Sequence, residues 1–135
     1  MKYIFEIPEK AIGKERPRKG KNNKFYTPQK TRNFEEKVKW AFTGKYNIAT
    51  ELSEKPFKAK ITAVFEPPKS LSNKKKEELI DKIDYTKKPD ADNIAKAILD
   101  SLNGLVYKDD SQVSELLVQK DYGTENKIIV ELEEI

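Results

Sequence analysis

The most constraining feature of this sequence is the stretch 57–65, in which apolar and polar side chains alternate. The apolar positions are Phe57, Ala59, Ile61, Ala63 and Phe65, and the polar positions between them are Lys58, Lys60 and Thr62. A period of two predicts a β-strand with one buried face, and Pro67 and Pro68 then stop the strand. The chain therefore contains a sheet with one side turned towards a core.

Similar patterns predict the remaining elements. Alternation predicts a strand over 2–7, a short strand at 25–26, and a carboxy-terminal hairpin formed by 113–121 and 127–132. Helical spacing of apolar residues predicts a helix from Thr27-Pro28 to about Tyr46, with Thr27 as its N-cap, and a short charged helix over 73–84. In a chain of 135 residues without a linker, we expect one α+β domain spanning 1–135, a small mixed sheet packed by two or three helices.

The chain has no cysteine and no histidine. This excludes disulfides, Cys/His zinc sites, Ser-His-Asp and Cys-His nucleophiles, and any nuclease whose general base is histidine. Catalysis would have to come from Asp, Glu, Lys, Arg, Tyr or a metal held by oxygen ligands. The amino terminus does not have the pattern of a signal peptide, and no segment approaches the roughly 20 apolar residues that span a bilayer. We therefore expect a cytoplasmic protein.

Basic residues are concentrated near the amino terminus. The net charge of +4 is mild, but the loop 10–24 is strongly cationic and contains Gly13, Pro17 and Gly20 as breakers. Its candidate DNA-binding residues are Lys14, Arg16, Arg18, Lys19, Lys21 and Lys24. Such clustering favours contacts with the phosphates of a nucleic acid, and the alternative is an ordinary solvated loop.

The segment 88–104 predicts a helix with an acidic side. From Asp92 onwards, apolar residues fall on one side of the helix, while Asp92, Lys96 and Asp100 follow one another at intervals of four on the other. Asp90 lies just before the helix, and Asn103-Gly104 is a typical carboxy-terminal stop. One of these aspartates alone would be explained as a helix cap, and Asp92–Lys96 as an exposed ion pair.

A second acidic pair, Asp109-Asp110, follows the turn at Gly104. If the chain returns beside the helix, Asp110 approaches Asp90 and Asp92, and three clustered carboxylates need a cation among them. Oxygen ligands of this kind suit Mg²⁺ or Mn²⁺. A calcium EF-hand does not fit, because Ala95 occupies the position of its glycine and Ser101 that of its bidentate glutamate. No Walker-type phosphate loop is present.

The residues from Pro89 to Asn103, followed by the run Asp109-Asp110-Ser111-Gln112-Val113, resemble the signature of the RusA Holliday junction resolvases of bacteria and their prophages. Arg16-Pro17-Arg18 and the later Phe25-Tyr26-Thr27-Pro28 also resemble the start of that family. The resemblance implies a homodimeric α+β nuclease with two active sites about a two-fold axis.

The resemblance also implies roles for individual residues. The acids at Asp90, Asp92 and Asp110 would bind the metal, Mg²⁺ or in its place Mn²⁺, and Lys96 would assist catalysis. Asp100 and Asp109 match signature positions with supporting roles, and Asp109 is an alternative to Asp110 as ligand. Some relatives have an aromatic residue where this chain has Pro89.

These observations predict an endonuclease that resolves four-way DNA junctions by paired symmetric nicks during recombination and repair. Two alternatives stay open. One is a non-catalytic protein that binds branched DNA and uses the aspartates as helix caps. The other is a magnesium-dependent phosphoryl-transfer enzyme that acts on nucleotides.

Overall fold

A computed structural model describes residues 1–47 and 51–135 of the chain. The described residues contain six strands, namely β1 (Lys2–Ile7), β2 (Arg18–Lys19), β3 (Phe25–Tyr26), β4 (Phe57–Phe65), β5 (Val113–Tyr122) and β6 (Lys127–Glu134). They also contain three helices, α1 (Gln29–Thr43), α2 (Asn73–Leu79) and α3 (Ala91–Ser101), and two short 3-10 turns, Lys21–Asn23 and Asp110–Gln112. The single-domain α+β architecture that the sequence predicts is confirmed.

The main sheet has the strand order β1-β6-β4-β5. β4 pairs antiparallel with β6 and parallel with β5, so the sheet is mixed, as predicted. The strand predicted over 57–65 is confirmed with those bounds, and its alternate residues Phe57, Ala59, Ile61 and Ala63 are buried. β2 and β3 form a separate two-stranded ribbon.

The predicted carboxy-terminal hairpin is wrong. β5 and β6 are not neighbours, because β4 lies between them. The connection 123–126 crosses the end of β4, where the amide of Gly123 donates to the carbonyl of Phe65 at 2.9 Å and the side-chain oxygen of Asn126 accepts from the amide of Glu66 at 2.9 Å. Periodicity identified both strands correctly, but it does not reveal that a strand from elsewhere in the chain separates them.

α1 and α3 pack against each other on one side of the sheet, α1 beside β1 and α3 beside β5. The predicted apolar stripe of α1 is confirmed, since Phe34, Val38 and Phe42 are buried. The predicted start of this helix is wrong by one residue, because Pro28 rather than Thr27 occupies the N-cap position and no side chain caps the helix.

The predicted helix over 73–84 is too long. α2 ends at Leu79, Asp81 has a φ of 66°, and Ile83 is 63% exposed rather than part of an apolar side. After the helix the backbone bonds to the end of β5, where the amide of Asp81 donates to the carbonyl of Tyr122 at 2.9 Å. This tertiary hydrogen bond replaces the next helical turn. None of the helices in the described ranges is both long enough and apolar enough to cross a membrane.

The crossing at Gly123 gives a stability prediction. A Cβ on this residue would come within 2.3 Å of Cγ1 of Val64. Gly123→Ala should therefore lower the free energy of unfolding by about 1–3 kcal/mol, the usual cost of overpacking. Urea denaturation measures this change. In a Val64→Ala background, which removes the opposing methyl group, the cost should shrink, and an equal cost in both backgrounds would contradict the explanation.

Candidate active site

α3 carries the candidate site because only one of its sides is buried. Ile94, Ala95, Ile98 and Leu99 enter the core, which leaves Asp92 and Lys96 exposed and Asp100 half-buried. Asp90 occupies the N-cap position, and its carbonyl accepts from the amide of Ile94 at 3.0 Å. The helix bounds and the arrangement of its acids agree with the sequence prediction.

The chain returns to α3 through a turn at Gly104, whose φ of 80° favours glycine. Tyr107 anchors the returning segment because its buried hydroxyl donates to the carbonyl of Leu99, in the last turn of α3, at 2.7 Å. Burial raises the pKa of the Tyr107 hydroxyl, which keeps it protonated as a donor. The anchor fixes where the second acidic pair lies relative to the helix.

Asp109 caps the 3-10 turn that follows. Its carboxylate accepts from the amide of Ser111 at 3.0 Å, and these bonds with Ser111 lower the pKa of Asp109. Gln112 accepts from the amide of Asp109 at 3.1 Å and donates to the carbonyls of Ser53 and Lys55 at 2.9 and 3.0 Å. The carboxylate of Asp109 therefore already has a hydrogen-bond partner. This supports Asp110 rather than Asp109 as the carboxylate available to bind a metal.

Asp110 lies against Asp100 of α3. Partial burial raises the pKa of Asp110, and its hydrogen bond to Asp100 and the repulsion from Asp100 and Asp109 raise it further. Two adjacent carboxylates are stable together only if a proton or a cation lies between or beside them. This pair is therefore a position where a bound cation would relieve repulsion.

Lys14 supplies a cation on the other side of Asp100. Its ammonium lies 2.6 Å from a carboxylate oxygen of Glu35 in α1 and 3.6 Å from one of Asp100, and its side chain is only 19% exposed. The amide of Lys14 donates to the carbonyl of Asn93 at 3.1 Å, so backbone and side chain both hold the loop against α3. Lys14 is therefore largely buried and ion-paired, its role in DNA binding stays a prediction, and Glu35 joins the candidate site.

Nothing in the sequence pattern singled out Glu35. It lies on α1, about 60 residues from the acids of α3, and looks like one of many charges on a helix surface. Only the packing of α1 against α3 brings it to Lys14 and Asp100.

The acids at the amino-terminal end of α3 lie apart from the cluster formed by Asp100, Asp110, Lys14 and Glu35. Asp90 pairs with the exposed Lys88 at 3.1 Å, and neither Asp92 nor Lys96 forms an ion pair with a described residue. Eight residues of helix separate Asp92 from Asp100, a rise of about 12 Å. Asp110 therefore meets the carboxy-terminal end of α3, two turns from Asp92.

The predicted convergence of Asp110 on Asp90 and Asp92 is thus not seen within one chain. In residues 1–47 and 51–135, no three acidic side chains lie close enough together to hold a metal ion. The short return through Tyr107 explains this, because it brings the chain back beside the end of the helix and not beside its start. The metal ligands and the role of Lys96 stay predictions.

The rest of the basic loop lies on the surface. The side chains of Arg16, Arg18, Lys19, Lys21 and Lys24 are exposed. β2 pairs with β3 in the register Arg18–Tyr26 and Lys19–Phe25, so cationic and aromatic side chains share a small ribbon. We call residues 16–26 the basic ribbon.

The aromatic residues of the basic ribbon are functional candidates that the sequence reasoning missed. Phe25 is 72% exposed and Tyr26 is 50% exposed, so two adjacent aromatic side chains are open to solvent. Their position directly after a run of lysines and arginines was the available signal.

Comparison with known proteins identifies relatives of the chain. Residues 8–133 match the family described as Endodeoxyribonuclease RusA. The uncharacterized protein YqaN of Bacillus subtilis (strain 168) is 49% identical over 76 residues. That alignment includes 53% of this chain and 54% of YqaN, so the chain spans about half the length of this curated relative.

Asp109 and Asp110 give a prediction for the stability of the metal-free protein in EDTA. Because the pKa of Asp110 is raised in the fold, its contribution to stability is present at pH 3 and is lost as the pH rises through its folded pKa. Asp110→Asn should therefore raise the urea midpoint at pH 7 and leave it nearly unchanged at pH 3. Asp109→Asn is the matched control and should lower the midpoint at pH 7, because the pKa of Asp109 is depressed. A lower midpoint for Asp110→Asn at pH 7 would contradict the assigned repulsion.

Proposed function

The chain belongs to the RusA endodeoxyribonuclease family, and from this membership we propose that it resolves four-way DNA junctions as a magnesium-dependent endonuclease. The family match over nearly the whole chain is the observation that carries the proposal. The protein would act in the cytoplasm as a homodimer, making paired symmetric nicks during recombination and repair. Mn²⁺ would substitute for Mg²⁺.

The metal would be held by Asp90, Asp92 and Asp110. Carboxylate oxygens are hard ligands that suit Mg²⁺. Burial, followed by the hydrogen bond to Asp100 and repulsion from Asp100 and Asp109, raises the pKa of Asp110, and a divalent cation would offset that repulsion. When bound, Mg²⁺ supplies activation of a water and stabilisation of charge on the phosphate oxygens. A homodimer also offers a second set of these acids, which matters because Asp110 lies two turns of α3 from Asp92 in its own chain.

The other residues of the site would bind the substrate, accept a proton or hold the site in position. Lys96 is exposed one helical turn beyond Asp92, where its ammonium would stabilise negative charge developing on the phosphate. With no histidine in the chain, a carboxylate of the site would accept the proton of the attacking water. Lys14 would act as a positioning residue, because it neutralises Glu35 and Asp100 and fixes the loop against α3.

DNA binding would come chiefly from the basic ribbon. Its exposed arginines and lysines suit phosphate contacts, which supply most of the affinity for a branched duplex. Phe25 and Tyr26 suit stacking on bases that are unpaired at a branch point. The shape of the junction would thus be read by this exposed surface.

The non-catalytic alternative has one observation in its favour. Asp90 and Asp109 both occupy helix-cap positions, and Asp110 is not beside Asp90 in its own chain. A protein of that kind would bind junctions without producing nicks. A junction assay with and without Mg²⁺ separates the two functions.

A single substitution tests the catalytic assignment. Asp90→Asn should reduce magnesium-dependent cutting of a labelled mobile four-way junction by at least about 100-fold, because it removes one charge-bearing ligand. Junction binding and the urea midpoint should change little, since Asp90 is exposed. Asp84→Asn, at an exposed position before the site, is the matched control and should cut at the normal rate. Retention of normal cutting by folded Asp90→Asn would refute the assignment.

A double substitution tests the basic ribbon. Replacing Arg16 and Arg18 with alanine should weaken junction binding broadly and reduce the slope of log affinity against log salt by about 2, as expected for two lost phosphate contacts. Fluorescence anisotropy at several salt concentrations measures both effects. The control replaces Lys74 and Lys75, two exposed lysines of α2. Equal salt slopes for the two double variants would show that the ribbon has no special role.

A further inference from the structure

The side chain of Asp90 is weakly held at the start of α3. Asp90 occupies the N-cap position, but its carboxylate accepts no capping bond from the helix. It pairs with Lys88, whose side chain is 85% exposed, and an exposed pair of this kind contributes little. The position of the Asp90 carboxylate is therefore determined by the backbone that leads into the helix.

Side chains hold this backbone through three consecutive carbonyls. The ammonium of Lys120 donates to the carbonyl of Lys87 at 2.9 Å and to that of Pro89 at 3.0 Å. The hydroxyl of Tyr85 donates to the intervening carbonyl of Lys88 at 3.2 Å. We call residues 87–89, which lie directly before the N-cap of α3, the approach segment.

Tyr85 is itself fixed to the core. Its ring stacks on buried Phe65 of β4, with the ring centres 3.9 Å apart and the planes at 8°, and it meets Tyr122 of β5 edge-on at 5.2 Å. The ammonium of Lys120 lies 5.6 Å from the centre of the Tyr85 ring, within the range of a cation–π contact. The two donors therefore form one unit that is anchored on the sheet.

The side chain of Lys120 lies on the core-facing side of the sheet. Lys120 pairs in register with Ala63, which is 0% exposed, and residues paired in register share a face. In residues 1–47 and 51–135, no carboxylate lies within ion-pairing distance of its ammonium. A partly buried ammonium without a carboxylate is costly, and here the two carbonyls and the ring offset that cost. The bonding capacity of this ammonium is thus directed to the approach segment.

We infer that Lys120, assisted by Tyr85, is a positioning residue of the active site. Through the carbonyls of Lys87 and Pro89, its ammonium holds the backbone so that Asp90 presents its carboxylate to the metal. The inference rests on the proposed function, because it takes Asp90 to be a metal ligand. Loss of a group that fixes a metal ligand typically costs about 10- to 100-fold in metal affinity or activity.

The magnesium requirement of Lys120→Met tests the inference. Methionine keeps an unbranched apolar side chain and removes the ammonium. The Mg²⁺ concentration that gives half the maximal rate of junction cutting should rise by at least about ten-fold, because Asp90 is no longer held for the metal. The maximal rate at saturating Mg²⁺ should fall less, since the ligand itself is still present.

Lys60→Met is the matched control. Lys60 is an exposed lysine of the neighbouring strand β4, between the buried residues Ala59 and Ile61, so its side chain lies on the other face of the sheet. This variant should keep the normal magnesium requirement. A normal requirement in folded Lys120→Met as well would overturn the inference.

A double variant distinguishes positioning from general support of the fold. At a fixed Mg²⁺ concentration, adding Lys120→Met to Asp90→Asn should reduce the residual cutting rate by less than about two-fold, because the carboxylate that Lys120 positions is already lost. If the two losses multiply in full, Lys120 does not act through Asp90 and the inference is wrong.

Trypsin digestion of the metal-free protein gives a measurement that does not depend on activity. In EDTA, the bond between Lys87 and Lys88 should be cut at least about ten-fold faster in Lys120→Met than in the unmodified protein, because the approach segment opens locally when its charged donor is removed. Cutting after Lys74 and Lys75 of α2, followed in the same digest by mass spectrometry, is the internal control and should not change. Equal cutting after Lys87 in both proteins would contradict the inference, and so would equally accelerated cutting at all three lysines.

Tyr85→Phe provides the test if Lys120→Met does not fold. This substitution keeps the ring stacked on Phe65 and removes only the hydroxyl bond to the carbonyl of Lys88. Loss of one such bond should raise the magnesium requirement by about two- to ten-fold. An unchanged requirement would then overturn the inference.

The outcomes separate this inference from the proposed function. If the unmodified protein does not cut junctions in Mg²⁺, or if Asp90→Asn cuts normally, the proposed function or its ligand assignment is wrong. If Asp90→Asn loses cutting while Lys120→Met keeps the normal magnesium requirement, only the inference is wrong.

Discussion

The burial of one side of α3 between α1 and the sheet is the constraint on which the candidate site depends. Because Ile94, Ile98 and Leu99 are fixed in the core, the opposite side of the helix must present Asp92, Lys96 and Asp100 to the surface. Tyr107 adds a second fixed point, since its buried hydroxyl binds the last turn of the helix. Together these contacts determine where Asp110 lies, and they leave little freedom for it to reach the start of the helix in the same chain.

Charge is compensated unevenly along this helix. At its carboxy-terminal end, Lys14 neutralises Glu35 and Asp100, while Asp110 remains against Asp100 with a raised pKa. At its amino-terminal end, Asp90 and Asp92 are exposed to solvent. The domain therefore offers two acidic positions at opposite ends of one helix.

Patterns that depend on neighbouring residues predicted most of the fold. The alternation over 57–65 and the one-sided helix beginning after Asp90 correspond closely to β4 and α3. The errors arose where distant segments decide the structure, as in the insertion of β4 between β5 and β6 and the early end of α2 at its bond to Tyr122. Lys14 and Glu35 illustrate the same limit at the site, because their pairing depends on how α1 packs against α3. Residue type and spacing indicated candidate acids, but not which of them lie close together.

The cleavage products of a four-way junction are the most direct test of the proposed resolvase activity. Purified protein incubated with a mobile four-way junction in Mg²⁺ should nick two opposing strands at symmetric positions and release duplexes whose nicks are ligatable. Linear duplex of the same sequence should remain uncut, and EDTA should prevent all cutting. Binding without nicks in Mg²⁺ or Mn²⁺, or cutting of linear duplex at the rate of the junction, would contradict the account.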